Sequence, residues 1–475
     1  MPSHFPVLSA LLAVAVGGFT HPAWGQSRDG KDWSRENARP VPDWVRDAVV
    51  YEVFPRVFSA DGDLAGVTAR LDHVRDLGAT VVWLMPIHPI GVEKRKGTYG
   101  SPYSIRDFRA VNHEYGTPED LRTLVREAHE RGLKVILDVV ANHTSWDGVM
   151  MATPEYYVRD AQGRVQPPNA DWTDVAKLDY TNPKTRAYMT DTMAYWLREF
   201  GVDGFRCDVA GLVPTDFWEE ARPRLEAVRP GLFLLAEWST PDLLAKAFDA
   251  DYAWPFHAAL NRVLSLGAPA SQIRTTWEEE RRTFPKGSLH LRFSDNHDEK
   301  RAIARFGEPG ALAAQALVFT MDGVPLVYNG AEAGDTTESG GPALTERLPI
   351  FWPIEARRPE FGRFYRQMIA LRRAHAALRR GETLWVTSSG PERVVSFVRR
   401  GAGEDVLVAV NLSSQPWRGT LEPPAGGPFE EITPGVPLPQ QPGGGTPERA
   451  ARKVELPSLA LDAWGFRVFR RASSS

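Results

Sequence analysis

The stretch "GFRCDVAG", residues 204–211, reads as a buried apolar strand except that it carries Arg206 and Asp208 two positions apart. Residues two apart in a strand share a face, so the guanidinium and the carboxylate point the same way and Cys207 points opposite. An adjacent guanidinium typically lowers an aspartate pKa by roughly 1 to 3 units, so Arg206 is expected to keep Asp208 ionised. Taken alone, such a pair is equally well a buried ion pair that only fixes strand register. The text on either side decides what it is.

Strand-like and helical runs alternate in both directions. The helix "PKTRAYMTDTMAYWLREFG" precedes the stretch; the helix "PTDFWEEARPRLEAVRPG" and the strand "LFLLAEW" follow it. Upstream, "AVVYEVFPRVF", "TVVWLMP" and "KVILDVV" read as strands. Between the last two, "TPEDLRTLVREAHERG" reads as a helix with Thr117 as N-cap, Pro118 at its first position and Gly132 as its stop. Downstream, "FDADYAW", "LHLRFSD" and "PLVYNG" complete a set of eight, and "RPEFGRFYRQMIALRRAHAALRRG" closes the series. Eight strand–helix units imply the α/β class and a (β/α)8 TIM barrel, whose chemistry sits at the C-terminal ends of its strands. A doubly wound open sheet would not need eight units, and no Gly-rich phosphate loop follows the first strand.

The rhythm breaks over residues 144–182, rich in Trp, Pro, Asp and Asn, which is too long for a plain loop and reads as a subdomain inserted after strand 3. The barrel then comprises residues 43–143 and 183–381, and a C-terminal all-β sandwich is expected over 382–475, where "RVVSFVRR" and "VLVAVNLS" have period two. Residues 26–42 form a polar, flexible N-terminal segment. Residues 1–25 read as a signal peptide: "FPVLSALLAVAVGGF" is its apolar run, and Ala23 and Gly25 are the small residues before a cleavage near Gly25, although "MPSH" lacks the usual positive charge. The run is short for a bilayer span and is interrupted by Pro and Gly, so a secreted or periplasmic protein with no membrane attachment after cleavage is expected. Cys207 is the only cysteine, so no intramolecular disulfide follows from export. With 56 basic and 60 acidic residues the chain has no broad attraction for nucleic acid or acidic lipid.

Two further carboxylates stand at strand ends. Glu237 closes "LFLLAEW", and Asp298 follows "LHLRFSD" beside His297. Each alone is as well read as a helix cap or a solvated loop residue; three strand ends delivering three carboxylates to one barrel face favour a site.

These residues resemble those of the α-amylase family, glycoside hydrolase family 13. "DVVANH" (138–143), "GFRCDVA", "LAEW" and "FSDNHD" resemble its four motifs in order, "VVWLMPIHP" and "GVPLVYNGAE" its second-strand and eighth-strand motifs, and the insertion its B subdomain. The resemblance implies a retaining, endo-type α-glucan hydrolase that cleaves α-1,4-glucosidic bonds of starch-derived polysaccharides, maltooligosaccharides or cyclodextrins by double displacement. Asp208 would be nucleophile, Glu237 the acid and then base, and Asp298 the carboxylate that holds sugar hydroxyls. That division suits a chemistry needing one ionised and one protonated carboxyl about 5 to 5.5 Å apart, with Trp238 among the apolar walls that raise Glu237. His143 and His297 would hydrogen-bond the sugar at the cleavage subsite, and Tyr103 would be a stacking platform, with Tyr99, Trp146, Trp172 and Trp254 as weaker aromatic candidates. Asn142 matches a calcium ligand of many relatives. Asp171, Asp174 and Asp179 are candidate partners for that ion but lack compact spacing. No organic cofactor is implied, and the oligomeric state is open.

Where many α-amylases carry a Lys-His pair after the nucleophile, this chain has Gly211 and Leu212. "CDVAGLVPTDFW" and "AKLDY" look closer to the neopullulanase, cyclomaltodextrinase and maltogenic amylase side of the family. A 4-α-glucanotransferase using the same carboxylates, or a carbohydrate-binding protein on an inactive barrel, are the alternatives.

Overall fold

The computed structural model describes residues 30–435, 453–454 and 456–473. The expected signal peptide, the start of the 26–42 segment and part of the C-terminal domain lie outside the described residues.

Eight parallel strands close a barrel: β1 (Val50–Val53), β2 (Val81–Leu84), β3 (Lys134–Val139), β4 (Gly204–Cys207), β5 (Phe233–Ala236), β6 (Ala250–Tyr252), β7 (His290–Arg292) and β8 (Val324–Tyr328), with β8 paired to β1. They are the eight runs read from the sequence. The first is shorter than "AVVYEVFPRVF", because Pro55 starts a helical turn over Pro55–Phe58. Helix α1 (Pro118–Glu130) begins at a reciprocal cap, in which the Thr117 hydroxyl accepts from the Asp120 amide and the Asp120 carboxylate accepts from the Thr117 amide. Helix α2 (Pro183–Phe200) begins at an Asn182 cap and ends at Gly201, whose φ of 66° is the left-handed turn that glycine permits.

Period two sorts the barrel into layers. Val50, Val81, Ile136, Phe233, Leu291 and Val324 fill its interior as an apolar floor. Two residues further along the same faces stand Glu52, Asp138 and Arg206, so the interior turns from apolar to charged towards the C-terminal mouth. Cys207, on the opposite face of β4, is buried in the layer between strands and helices. Each fully buried Leu or Phe of the floor contributes roughly 1.5–3 kcal/mol, which fixes strand register and so the positions of the charged groups above.

Between β3 and α2 the strands His143–Ser145 and Val175–Lys177 pair antiparallel and tie the insertion to the mouth, with His143 opposite Lys177. Among the described residues the C-terminal region forms a six-stranded and a three-stranded sheet. On the strand Val394–Gly401, Val395 and Phe397 join the core shared with the barrel helices, while Val394 and Val398 face the second sheet. Among the described residues no helix is long and apolar enough to cross a membrane.

Candidate active site

At the mouth, Arg206 is fully buried and is the hub. Strand register places Asp138 of β3 beside it, and its Nη1 donates to Asp138 Oδ1 at 2.9 Å, Asp138 Oδ2 at 3.1 Å and Asp208 Oδ1 at 3.0 Å. Nη2 lies 2.9 Å from Glu237 Oε2, which also accepts the Val209 amide at 2.8 Å. Val209 makes that bond from a left-handed conformation, φ 35° and ψ 46°, uncommon for a β-branched residue. The turn that carries the chain away from Asp208 therefore presents an N–H to the neighbouring carboxyl.

The third carboxylate, Asp298, lies 3.3 Å from His297 Nε2. That ring nitrogen also meets the Tyr103 hydroxyl at 2.6 Å, and Tyr103 in turn donates to Asp138 Oδ2 at 3.2 Å. His297 Nδ1 meets Glu52 Oε1 at 2.5 Å. Burial pushes the Glu52 carboxyl well up and the His297 imidazole well down, so both are neutral. One direction of donation satisfies the chain: the Glu52 hydroxyl to Nδ1, Nε2–H to Tyr103, and the Tyr103 hydroxyl to Asp138.

One guanidinium does not offset the burial of this many carboxyls. Burial pushes Asp138, Asp208 and Glu237 up to about 7, against the pull of Arg206. The expectation that Arg206 lowers the Asp208 pKa is thus corrected: the contact is present, but burial together with Asp138 and Asp298 outweighs it. A hydrogen bond with Asp208 helps hold the proton on Glu237. Asp298 is raised by burial and by Glu237, and the rise is smaller in effect because 37% of its side chain is open to solvent.

Tyr103 joins this cluster through its hydroxyl, and its ring stacks on His297 at 5.3 Å and 22°. His143 is buried, neutral because burial lowers it to about 4, and edge-on to Trp172 at 5.5 Å. Trp238 is buried beside Glu237, and its indole occupies the space over Gly211, where a Cβ would come within 2.1 Å of the ring. The missing side chain at 211 is therefore what lets Trp238 lie there. The Tyr99 ring lies against Arg56 at 5.6 Å, and Trp254 packs on Tyr252 and Phe293. Trp146 donates to Thr173 O in the insertion.

The side chains proposed for calcium make other contacts in this structure. The Asn142 amide donates to His143 Nδ1, Asp179 Oδ1 accepts from Thr181, and Asp174 Oδ1 is 3.0 Å from the Lys96 ammonium, which also donates to Asp171 O at 2.7 Å. Among the described residues no group of three His, Cys, Asp or Glu is arranged to hold a metal ion. The Lys96 ammonium thus pairs with Asp174, and no chemical step is assigned to calcium.

Sequence reading missed Asp138 and Glu52. Both carry a signal of their own: a carboxylate on the inward face, two residues beyond the apolar inward residues Val50 and Ile136.

A family model described as "Alpha amylase, catalytic domain" matches residues 29–172 and 169–346. A cyclomaltodextrinase of Geobacillus thermopakistaniensis is 29% identical over 425 residues, covering 79% of this chain and 70% of that protein. The crystal structure of a noncanonic maltogenic alpha-amylase from Thermotoga neapolitana superposes with a TM-score of 0.81 at 28% identity, over 90% of this chain and 100% of that one. That of an alpha-amylase from Lactobacillus plantarum gives 0.75 at 30% identity, over 90% and 99%.

Proposed function

Because this chain belongs to the α-amylase family and is a glycoside hydrolase, we propose that it hydrolyses α-1,4-glucosidic bonds of maltooligosaccharides and starch-derived glucans with retention of configuration. The observation that carries this reading is the convergence of Asp208, Glu237 and Asp298 on one mouth, with Arg206 touching the first two.

In the first step Asp208, ionised, attacks the anomeric carbon while Glu237 donates its proton to the departing glucosidic oxygen, leaving a glycosyl ester on Asp208. In the second step the same Glu237, now a carboxylate, takes a proton from water as the water displaces the ester, and both groups return to their starting forms. The elevated pKa of Glu237 suits the acid role near neutrality. Arg206 stabilises the carboxylate that must be ionised at each stage, since it touches both. Asp298, 37% open to solvent beside the buried His297, suits an acceptor for sugar hydroxyls, and His143 is the proposed donor from the insertion side.

Proton NMR of maltotriose hydrolysis tests the reading: the α-anomer appears first. First appearance of the β-anomer refutes retention, and unchanged turnover by Asp208→Asn refutes the assignment of the nucleophile. Products longer than the substrate would favour the transferase alternative. Export, proposed from the apolar leader, is checked by fractionating cells that express the full chain.

A further inference from the structure

Residues 91–100, which follow β2, form a strap across one side of the mouth. At one end it is tied to the insertion: the Val92 amide donates to Asp147 at 3.0 Å, Lys94 Nζ sits 3.4 Å over the Trp146 ring, and Lys96 holds Asp174 and Asp171 O. Lys94 takes up its place with φ 57°, a left-handed conformation unusual for lysine. At the other end it is tied to the loop after β8: the Thr98 amide donates to Glu346 at 2.9 Å and the Tyr99 amide to Thr345 O at 3.0 Å. A Cβ on Gly97 would fall 2.0 Å from Thr345 Oγ1, so the two loops are in direct contact. Beneath them the buried Arg56 donates to Gly100 O, Tyr99 O and Leu344 O, clamping both.

The two segments that hold the strap also reach the reaction centre. Trp172 and Asp174 abut His143, and Gly340, in the loop after β8, abuts the backbone of Asp298. The strap therefore spans from the His143 side to the Asp298 side across β1 and β2. The loops after β4 and β5 are short by contrast, reaching the next helices at Thr215 and Pro241, and Leu212 is 41% exposed there.

The chemistry orients the substrate. The general acid must touch the departing oxygen, so the leaving portion of the glucan lies on the β5 side with Glu237. The portion that stays on the nucleophile, the glycone, extends the opposite way round the mouth, towards β1, β2 and β8, where the strap stands. We propose that the strap closes the glycone end of the cleft, so that this hydrolase removes short saccharides from non-reducing chain ends rather than cutting within chains. This rests on the α-glucan reading above, and it departs from the endo-type expectation drawn from the sequence.

The test compares 4-nitrophenyl maltoheptaoside with the same compound blocked at its non-reducing end by a 4,6-O-ethylidene group, with product lengths read by chromatography. The wild-type chain is expected to cleave the free compound at least about 100-fold faster than the blocked one, and to release one short product from the start. Lys94→Ala/Lys96→Ala, which removes both lysine ties between the strap and the insertion and leaves only the Val92 amide bond to Asp147, is expected to narrow that ratio to about 10-fold or less while cleaving the free compound within about twofold of wild type. Equal wild-type cleavage of both compounds, or early products of all lengths, overturns the strap proposal and leaves the hydrolase reading intact. Cleavage of neither compound overturns the hydrolase reading itself.

Discussion

Asp138→Asn isolates the electrostatics of the mouth. Asp138 and Asp208 both accept from Arg206 Nη1, at 2.9 and 3.0 Å, so their oxygens are at most about 6 Å apart. At that separation two unit charges repel by about 3 kcal/mol at an effective dielectric constant of 20, and by roughly 0.7 kcal/mol at that of water. Removing one therefore lowers the other's pKa by between about half a unit and two units. The sign is fixed: Asp138 raises Asp208, so the neutral amide lets Asp208 ionise at lower pH. The amide oxygen still accepts from Arg206, which retains Asp208 and Glu237, so a folded variant is expected with a loss of about 1.5–3 kcal/mol from the weaker hydrogen bonds. The assay is kcat/KM on maltotriose from pH 4 to 9, with denaturant unfolding to check stability. The acid limb, which reports the nucleophile, should move down by half a unit to two units. A folded, active variant with that limb unmoved, or moved up, refutes the repulsion argument.

Asp208→Asn should abolish turnover yet stabilise the fold. Asp208 holds its proton to about pH 7 in the folded chain but only to about 3.8 unfolded, so its burial becomes a cost as pH rises through that window; the variant should gain about 1–4 kcal/mol at pH 8 and nothing at pH 3, read by urea unfolding. Asp203 is the opposite case. Hydrogen bonds from His129, the Val135 amide and Arg229 hold it down to about 2, so Asp203→Asn should lose about 2 kcal/mol at pH 7, a difference that shrinks as pH falls from 3.8 through 2. Glu52→Gln, whose amide can donate to His297 Nδ1 as the neutral acid does, should keep kcat/KM within about fivefold, whereas Glu52→Leu should lose about 10- to 100-fold, because only the former fixes Nε2–H as the donor. A chelator should leave the melting temperature unmoved, since Lys96 already neutralises Asp174.

The barrel was legible because period two and helical spacing are local properties: each of the eight runs announces itself within a few residues. The carboxylates at 208, 237 and 298 were legible for the same reason, as charges where an apolar run should continue. What local text does not carry is register between strands. Asp138 matters because it stands beside Arg206 across a strand boundary, and Glu52 because it lies under His297, 245 residues away in sequence. Direction of titration was likewise hidden. The pair Arg206 and Asp208 suggests a lowered pKa, but the sum over every buried neighbour reverses it.

The overlap of Gly211 with Trp238 bears on how such mouths diverge. A lineage that gains a basic side chain at 211 while keeping the indole must accommodate overpacking of about 1–3 kcal/mol or more; one that first trims the indole opens a cavity at a cost of about 3–5 kcal/mol. Either order passes through a weakened intermediate, so the two positions are expected to change together. Across homologous sequences residues 211 and 238 should covary, and an engineer who wishes to alter the acceptor side should exchange them as one heritable unit.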